Sequence, residues 1–434
     1  MDEESRAFDI AGTRGKRMKK HAIIPVFISH RGCPNDCVFC NQKKITARQG
    51  DVSLEDARKT IEEHLSTLTH MNLETIEIAF FGGSFTGIPM EEQTGFLKIA
   101  KEYKDKGLVD KIHLSTRPDY INTEILDNLK NYSVDVIELG VQSLNPKVLE
   151  LSGRGHRPEI VYESAALIKE YGFTLGIQLM IGLPGDSMQS CVFSAEETVK
   201  MQPQIARLYP TVVIHETALY EQYLRGEYTP LSEEEAVDRT KAMYEILDRA
   251  GINIIRVGLK SSDIMSGETG FHPAFRQLVE GRIARDSLES QLEQILHNYQ
   301  EKMPAEEAGQ KLKAETNASQ NCSRGKMYVP KHEILQSECD VPAADTEEKE
   351  KNVERNVLRE KQTENDAKLN KKMQKSILFE SNDKCYNNIF GHRGCNRSYF
   401  SEKYPDVSIV YKINPNLRNN EYRAQILRPE EGKK

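Results

Sequence analysis

Between His21 and Leu259 the chain alternates short apolar runs with amphipathic stretches of helical length, and no other feature constrains its fold as strongly. Ala22–Ile28, Ile76–Phe81, Ile112–Ser115, Val134–Val141, Thr174–Ile181, Ile205–Tyr209 and Ile252–Val257 read as strands. Helical periodicity fills the gaps at Ser53–Leu68, Met90–Tyr103, Asn122–Asn131, Glu159–Tyr171, Met188–Met201 and Ser232–Ala250. Strands joined through a helix run parallel, because the right-handed crossover returns the chain in the same direction. A series of such units closes into a full or partial (β/α) barrel, with its chemistry at the C-terminal ends of the strands.

At 434 residues the chain has room for one large domain with appendages or for two to three domains. Residues 1–20 read as a flexible tail carrying the basic cluster Arg14–Lys20, without the basic-then-apolar order of an export signal. The strand–helix region with its C-terminal extension occupies 21–296. From 297 to 375 Glu, Lys, Gln and Asn dominate, and large apolar residues are too few to offset the entropy of ordering. That segment is expected to be a disordered or loosely helical insertion. Apolar periodicity returns at Ile377 and Leu378, so 376–434 reads as a small α/β module. No apolar run approaches the roughly 18 residues of a bilayer span, and the expected compartment is the cytoplasm. A formal net charge of −7 argues against a globally basic nucleic-acid binder and leaves local patches open.

Eight cysteines are too few for a disulfide framework at this length, yet Cys33, Cys37 and Cys40 crowd together just after the first strand. A four-iron cubane normally takes four thiolates, so three from one loop leave one iron open to a small molecule. A structural zinc wants four closed ligands, and His30 is the nearby candidate for the fourth. Spacing favours the cubane and leaves zinc open. Cys191 lies in an amphipathic helix and reads as core, while Cys322, Cys339, Cys385 and Cys395 share no spacing that implies a second cluster.

The C-x3-C-x2-C loop resembles the signature of the radical S-adenosylmethionine (SAM) superfamily, and later segments extend the resemblance. Phe81-Gly82-Gly83-Ser84-Phe85-Thr86-Gly87 sits where that family has a Gly-Gly turn after its second strand. Ser115-Thr116-Arg117-Pro118-Asp119 ends the third strand, and Glu138-Leu139-Gly140-Val141-Gln142-Ser143 ends the fourth, followed by Arg154-Gly155-His156. Gly176-Ile177-Gln178 and Gly182-Leu183-Pro184-Gly185 span the fifth strand and its exit. The resemblance implies an α/β fold, a partial parallel (β/α) barrel of radical SAM type related to the TIM barrel. It implies a [4Fe–4S] cluster on Cys33, Cys37 and Cys40, with S-adenosylmethionine chelating the unique iron. It places Gly82, Gly83, Ser84, Thr116, Gln142, Arg154 and Gln178 around that cofactor, with Val141 and Ile177 in the core. One electron from a donor such as flavodoxin or ferredoxin would cleave the sulfonium and release a 5′-deoxyadenosyl radical.

Over about Ala22–Leu259 the chain is similar to the radical domain of the Elongator catalytic subunit and its bacterial relatives. Leu208-Tyr209-Pro210-Thr211-Val212-Val213-Ile214, running into Leu219–Tyr228, belongs to that similarity, which implies RNA, specifically tRNA, as substrate. Two departures limit it. His215-Glu216-Thr217 stands where relatives often carry Lys-Gly-Thr, and no stretch has the length or glycine-rich loop of an acetyltransferase domain, so acetylation is not implied. His156, His215 and His272 are candidate acid–base groups, although structural histidines are commoner. Gly391-His392-Arg393-Gly394 resembles the Gly-x-x-Gly loop of a KH-type RNA-binding element, with Arg393 and Arg397 supplying charge. A plain turn before a helix is the competing explanation. Two other functions stay open: oxidation of a tetrapyrrole, as in coproporphyrinogen-oxidising relatives, and a non-catalytic RNA-binding iron–sulfur protein.

Overall fold

The computed structural model describes residues 21–28, 33, 37–41, 52–68, 70–259, 271–301 and 375–427. These fall into two compact units that divide between Val279 and Glu280. The basic cluster Arg14–Lys20, His30, Cys322, Cys339 and nearly all of the polar insertion lie outside the described residues.

In the first unit, seven strands form one parallel sheet whose spatial order follows the chain: β1 (His21–Phe27), β2 (Thr75–Phe81), β3 (Lys111–Thr116), β4 (Val136–Gln142), β5 (Thr174–Ile181), β6 (Ile205–Pro210) and β7 (Asn253–Val257). The sheet curls into a half-barrel. Its crossovers carry α1 (Leu54–Leu68), α2 (Met90–Asp105), α3 (Thr123–Asn131), α4 (Pro146–Leu151), α5 (Pro158–Glu170), α6 (Met188–Met201), α7 (Ala218–Leu224) and α8 (Glu233–Arg249). Caps define several of the helix starts. The Asn122 side chain accepts from Ile125 N, and Ser187 and Ser232 make reciprocal capping boxes, each cap contributing about 1 kcal/mol. The short helices α4 and α7 were not expected from periodicity, because six or seven residues make too few turns to show an apolar stripe.

Period-two alternation sorts the strand residues. Ile78 and Phe80 of β2, Ile112 and Leu114 of β3, Ile137 and Leu139 of β4, and Leu175, Ile177 and Leu179 of β5 are buried against the helices. Burying each such side chain contributes about 1.5–3 kcal/mol. The other parity faces the lumen, and the register carries it across the sheet: Phe27 beside Phe81, Ser115 beside Glu138, Gly140 beside Gln178, and Gln178 beside Arg207. The helix-facing surface is therefore apolar, whereas the lumen mixes charged and polar side chains with the aromatic pair Phe27 and Phe81. No helix among the described residues is long and apolar enough to cross a membrane.

The chain enters the second unit along α9 (Phe275–Glu301). This unit adds β8 (Lys375–Ser381), α10 (Tyr386–Phe390), α11 (Cys395–Lys403), β9 (Val407–Ile413) and β10 (Tyr422–Ile426). β8 is central, parallel to β9 and antiparallel to β10. Phe379 and Phe400, both fully buried, meet edge-on at 5.0 Å between ring centres and anchor α11 to the sheet. The Gln291 amide donates to the Tyr422 carbonyl and accepts from Ala424 N, which ties α9 to the outer edge of β10.

Candidate functional site

The described part of the cysteine loop is held from two sides. Val38 N donates to the Ser152 carbonyl at 3.1 Å, and the Val38 carbonyl accepts from Leu219 N at 2.7 Å. Val38 and Phe39, the two residues between Cys37 and Cys40, pack on an apolar cluster of Val213, Leu219 and Tyr228. Tyr228 Oη in turn donates to the Gly182 carbonyl at 2.6 Å. Segments after β4, β5 and β6 thus clamp the described part of this loop. Sequence reasoning passed over Val38 and Phe39; the available signal was a pair of apolar residues inside a ligand spacing.

Around the thiols stand the ends of β2, β3 and β4. Loss of hydration pushes the Cys33 thiol up, while Arg117, Arg154 and the Ser84 backbone amide pull the other way and Cys37 adds to the rise. Arg117 forms a two-pronged pair with Asp119, at 2.9 and 2.8 Å, and donates to the Arg154 carbonyl at 2.6 Å. Arg154 donates from Nη1 to Cys37 Sγ at 3.2 Å and from Nη2 to the Gly140 carbonyl. Ser84 and Thr116 are buried with their hydroxyls 2.8 Å apart; Thr86 Oγ1 joins at 2.6 Å, and Arg117 N donates to Ser84 Oγ. That knot ties the β2 turn to the end of β3, so what the turn can offer a ligand is chiefly backbone. Gly82 begins the turn at φ 101°, in the left-handed region that glycine enters freely. Gln142 adopts φ 68° at an irregularity in the β4–β5 pairing, a strained conformation of the kind that gathers at functional sites. A Cβ on Gly140 would lie 3.1 Å from Gln142 Nε2, so the glycine leaves room for that amide.

The residues present fit a cubane with an anionic ligand beside it. Cys33 lies within electrostatic reach of Cys37, Arg117 and Arg154. Buried Arg117 Nη1 and Arg154 Nε lack hydrogen-bond partners among the described residues. Buried N–H groups are costly to leave unpaired, and two guanidinium orphans beside the cysteines suit a carboxylate.

Deeper in the lumen lies an ion-pair network that sequence reasoning missed. Arg207 places Nε 2.7 Å from Glu138 Oε2 and donates from Nη2 to Oε1 at 2.7 Å. His113 Nε2 is 2.7 Å from the same Oε1, and its Nδ1 is 3.7 Å from Glu77. Desolvation would raise the Glu138 carboxyl, but His113 and Arg207 hold it down to about 2. Desolvation likewise opposes the charged form of His113, and the two carboxylates outweigh it and raise its pKa. Gln178 Nε2 donates to Glu138 Oε2 at 2.7 Å. An ionised carboxylate accepts only, so Gln178 must present its amide hydrogens to Glu138. A Cβ on Gly176 would meet Glu138 Cγ at 2.6 Å, which explains the glycine on β5. The signal that could have found this network was charge at inward parity on successive strands.

The other candidates divide. Desolvation, reinforced by Arg154, lowers His156 to about 4, so it is neutral at physiological pH. His215 is exposed and its ring centre lies 4.4 Å from that of Tyr220. His272 Nδ1 accepts from Ala274 N, a local structural bond. Cys191 is buried and donates to Asp186, and Cys385 accepts from Asn420 N. In the Gly391–Gly394 loop, Gly391 has φ 71° and ψ 173°, and a Cβ there would lie 2.6 Å from Cys395 Sγ. Close packing alone demands that glycine. Arg393 and Arg397 are exposed.

Comparison with known proteins gives consistent matches. Residues 27–197 match the radical SAM superfamily domain and residues 203–285 the radical SAM C-terminal domain, together more than half of the chain. A tRNA uridine(34) acetyltransferase of Methanocaldococcus infernus is 27% identical over 256 residues, 50% of this chain and 48% of the relative. Elongator complex protein 3 of Saccharomyces cerevisiae is 30% identical over 264 residues, 50% of this chain and 47% of the relative. The chain thus spans about half the length of these curated relatives. The solved structure of the archaeal Elongator protein 3 of Methanocaldococcus infernus, with N-terminal residues 1–46 deleted, superposes with a TM-score of 0.51 at 23% identity. That match covers 62% of this chain and 64% of the other, and it supports the half-barrel fold.

Proposed function

The chain belongs to the radical SAM superfamily, an enzyme family, and from that membership we propose that it binds a [4Fe–4S] cluster through Cys33, Cys37 and Cys40 and cleaves S-adenosylmethionine reductively to modify an RNA of the tRNA class. The observation that supports this reading is that Cys33 and Cys37 lie beside two buried, partly unpartnered arginines at the C-terminal mouth of a parallel half-barrel. When bound, the cluster and S-adenosylmethionine supply an electron and a cleavable sulfonium, and with them a 5′-deoxyadenosyl radical.

The chain's own residues bind and orient. Arg154 Nε and Arg117 Nη1 are donors for the methionyl carboxylate, and the Gly82–Gly83–Ser84 turn brings backbone groups to the amino end. Ser84 and Thr116 act by holding that turn in place. Gln142 and Gln178, whose amide nitrogen is engaged by Glu138, are acceptors for hydroxyl groups through their amide oxygens. Phe27, Phe81 and Tyr209 line the lumen beyond with apolar and stacking surface. An RNA substrate is supported by the relatives named for tRNA uridine(34), and a low-potential flavodoxin or ferredoxin suits the electron supply.

Anaerobic reconstitution followed by assay for 5′-deoxyadenosine under strong reductant tests the proposal. Four irons per chain and a product yield that rises on adding bulk tRNA are expected, and Cys37→Ala should abolish both iron binding and product. One zinc ion per chain, or an intact cluster that never cleaves S-adenosylmethionine, would overturn it.

A further inference from the structure

The two arginines beside the cysteines differ in what neutralises them. Arg117 is paired with the Asp119 carboxylate through two hydrogen bonds. Arg154 has no carboxylate partner among the described residues; its acceptors are the Gly140 carbonyl and Cys37 Sγ. A guanidinium stays charged at any working pH. One whole positive charge is therefore buried against one cysteine sulfur.

Its position is imposed by the fold. Arg154 N donates to the Leu149 carbonyl at 3.0 Å, its own carbonyl accepts from Arg117 Nη2, and its Nη2 is anchored on Gly140 of β4. Cys37 is buried, and the next residue, Val38, is bonded on both its N–H and its carbonyl. Donor and acceptor are each fixed by backbone, so the N–H···S contact does not wait for a ligand to arrange it.

We propose that Arg154 raises the reduction potential of the cluster through a charge-assisted hydrogen bond to the Cys37 sulfur, an inference that rests on the cluster assignment above. Reduction adds one electron and hence one negative charge to the cluster and its thiolates, with the electron drawn from the external donor. A buried cation on a thiolate stabilises the more negative state preferentially, and hydrogen bonds to cluster sulfurs are a recognised lever on such potentials. Arg154 is thus a tuning residue for electron entry through its Nη1, separate from any carboxylate held at its Nε.

The test compares full-length wild type with Arg154→Gln and Arg154→Lys after anaerobic reconstitution, by iron content and by a redox titration followed by electron paramagnetic resonance. Arg154→Gln should keep its iron but show about a tenfold lower reduced-to-oxidised ratio at fixed ambient potential, about 59 mV for one electron. Arg154→Lys, which keeps the charge, should fall between the two. Equal potentials in all three loaded proteins would overturn the inference while leaving the cluster assignment intact. Loss of the cluster from both variants would overturn it as well, by making Arg154 an assembly element. Failure of the wild type itself to take up four irons would instead remove the assignment on which it stands.

Discussion

Glu138 shows how one lumen residue sets the requirements of its neighbours. It is buried on β4 and balanced by Arg207 and His113, and it fixes the amide orientation of Gln178. Removing one partner of a buried pair leaves an uncompensated charge, so Glu138→Gln should destabilise the protein by about 3–5 kcal/mol at neutral pH. The pH dependence has a definite sign. A carboxyl held at about 2 in the fold and near 4.3 when unfolded stabilises fully above about pH 4.3, and that stability drains as pH falls through 2. Wild type should lose about 3 kcal/mol more than Glu138→Gln between pH 5 and pH 2 in urea unfolding. Parallel curves would show that the network carries no such linkage. His113 acts oppositely: its raised pKa stabilises below its ordinary value of 6.5 and is lost as pH climbs through the folded value.

At the scale of elements, the loop bearing the cysteines depends on the segment C-terminal to β6. Leu219 at the start of α7 bonds Val38 and, with Val213 and Tyr228, packs against Phe39. Phe39→Ala removes part of that apolar contact, worth about 1.5 kcal/mol, or roughly a tenfold shift in loop docking. The variant should fold, yet release iron about tenfold more readily to a chelator, as read from visible absorption. Unchanged release would mean that the ligands alone organise the loop. The short helix α7 therefore matters more to the site than its length suggests.

At the scale of the whole chain, two units carry separate cores. In the second, Gly391 sits in a region of backbone space reserved for glycine, with α11 packed on its α-carbon. Gly391→Ala should lower the stability of that unit by roughly 1–3 kcal/mol from overpacking alone, with strain in addition. Calorimetry should show one transition moving while the iron content of the reconstituted protein stays constant. A loss of iron in step with that transition would refute the independence of the two cores.

Strand and helix positions in the half-barrel were legible from period-two and helical patterning, since burial against helices demands apolar residues at one parity of each strand. Sequence reasoning placed β5 and α6 with their observed ends, and the cysteine spacing and paired glycines stood out because metal and backbone chemistry restrict residue type directly. Partnership was not legible. That Arg154 meets Cys37, 117 positions away, or that Gly176 makes room for Glu138, depends on which strands become neighbours and at what register. Local sequence dictates which face of an element is apolar, because water judges each side chain where it stands; only the closed tertiary arrangement decides which buried charge lies against which sulfur.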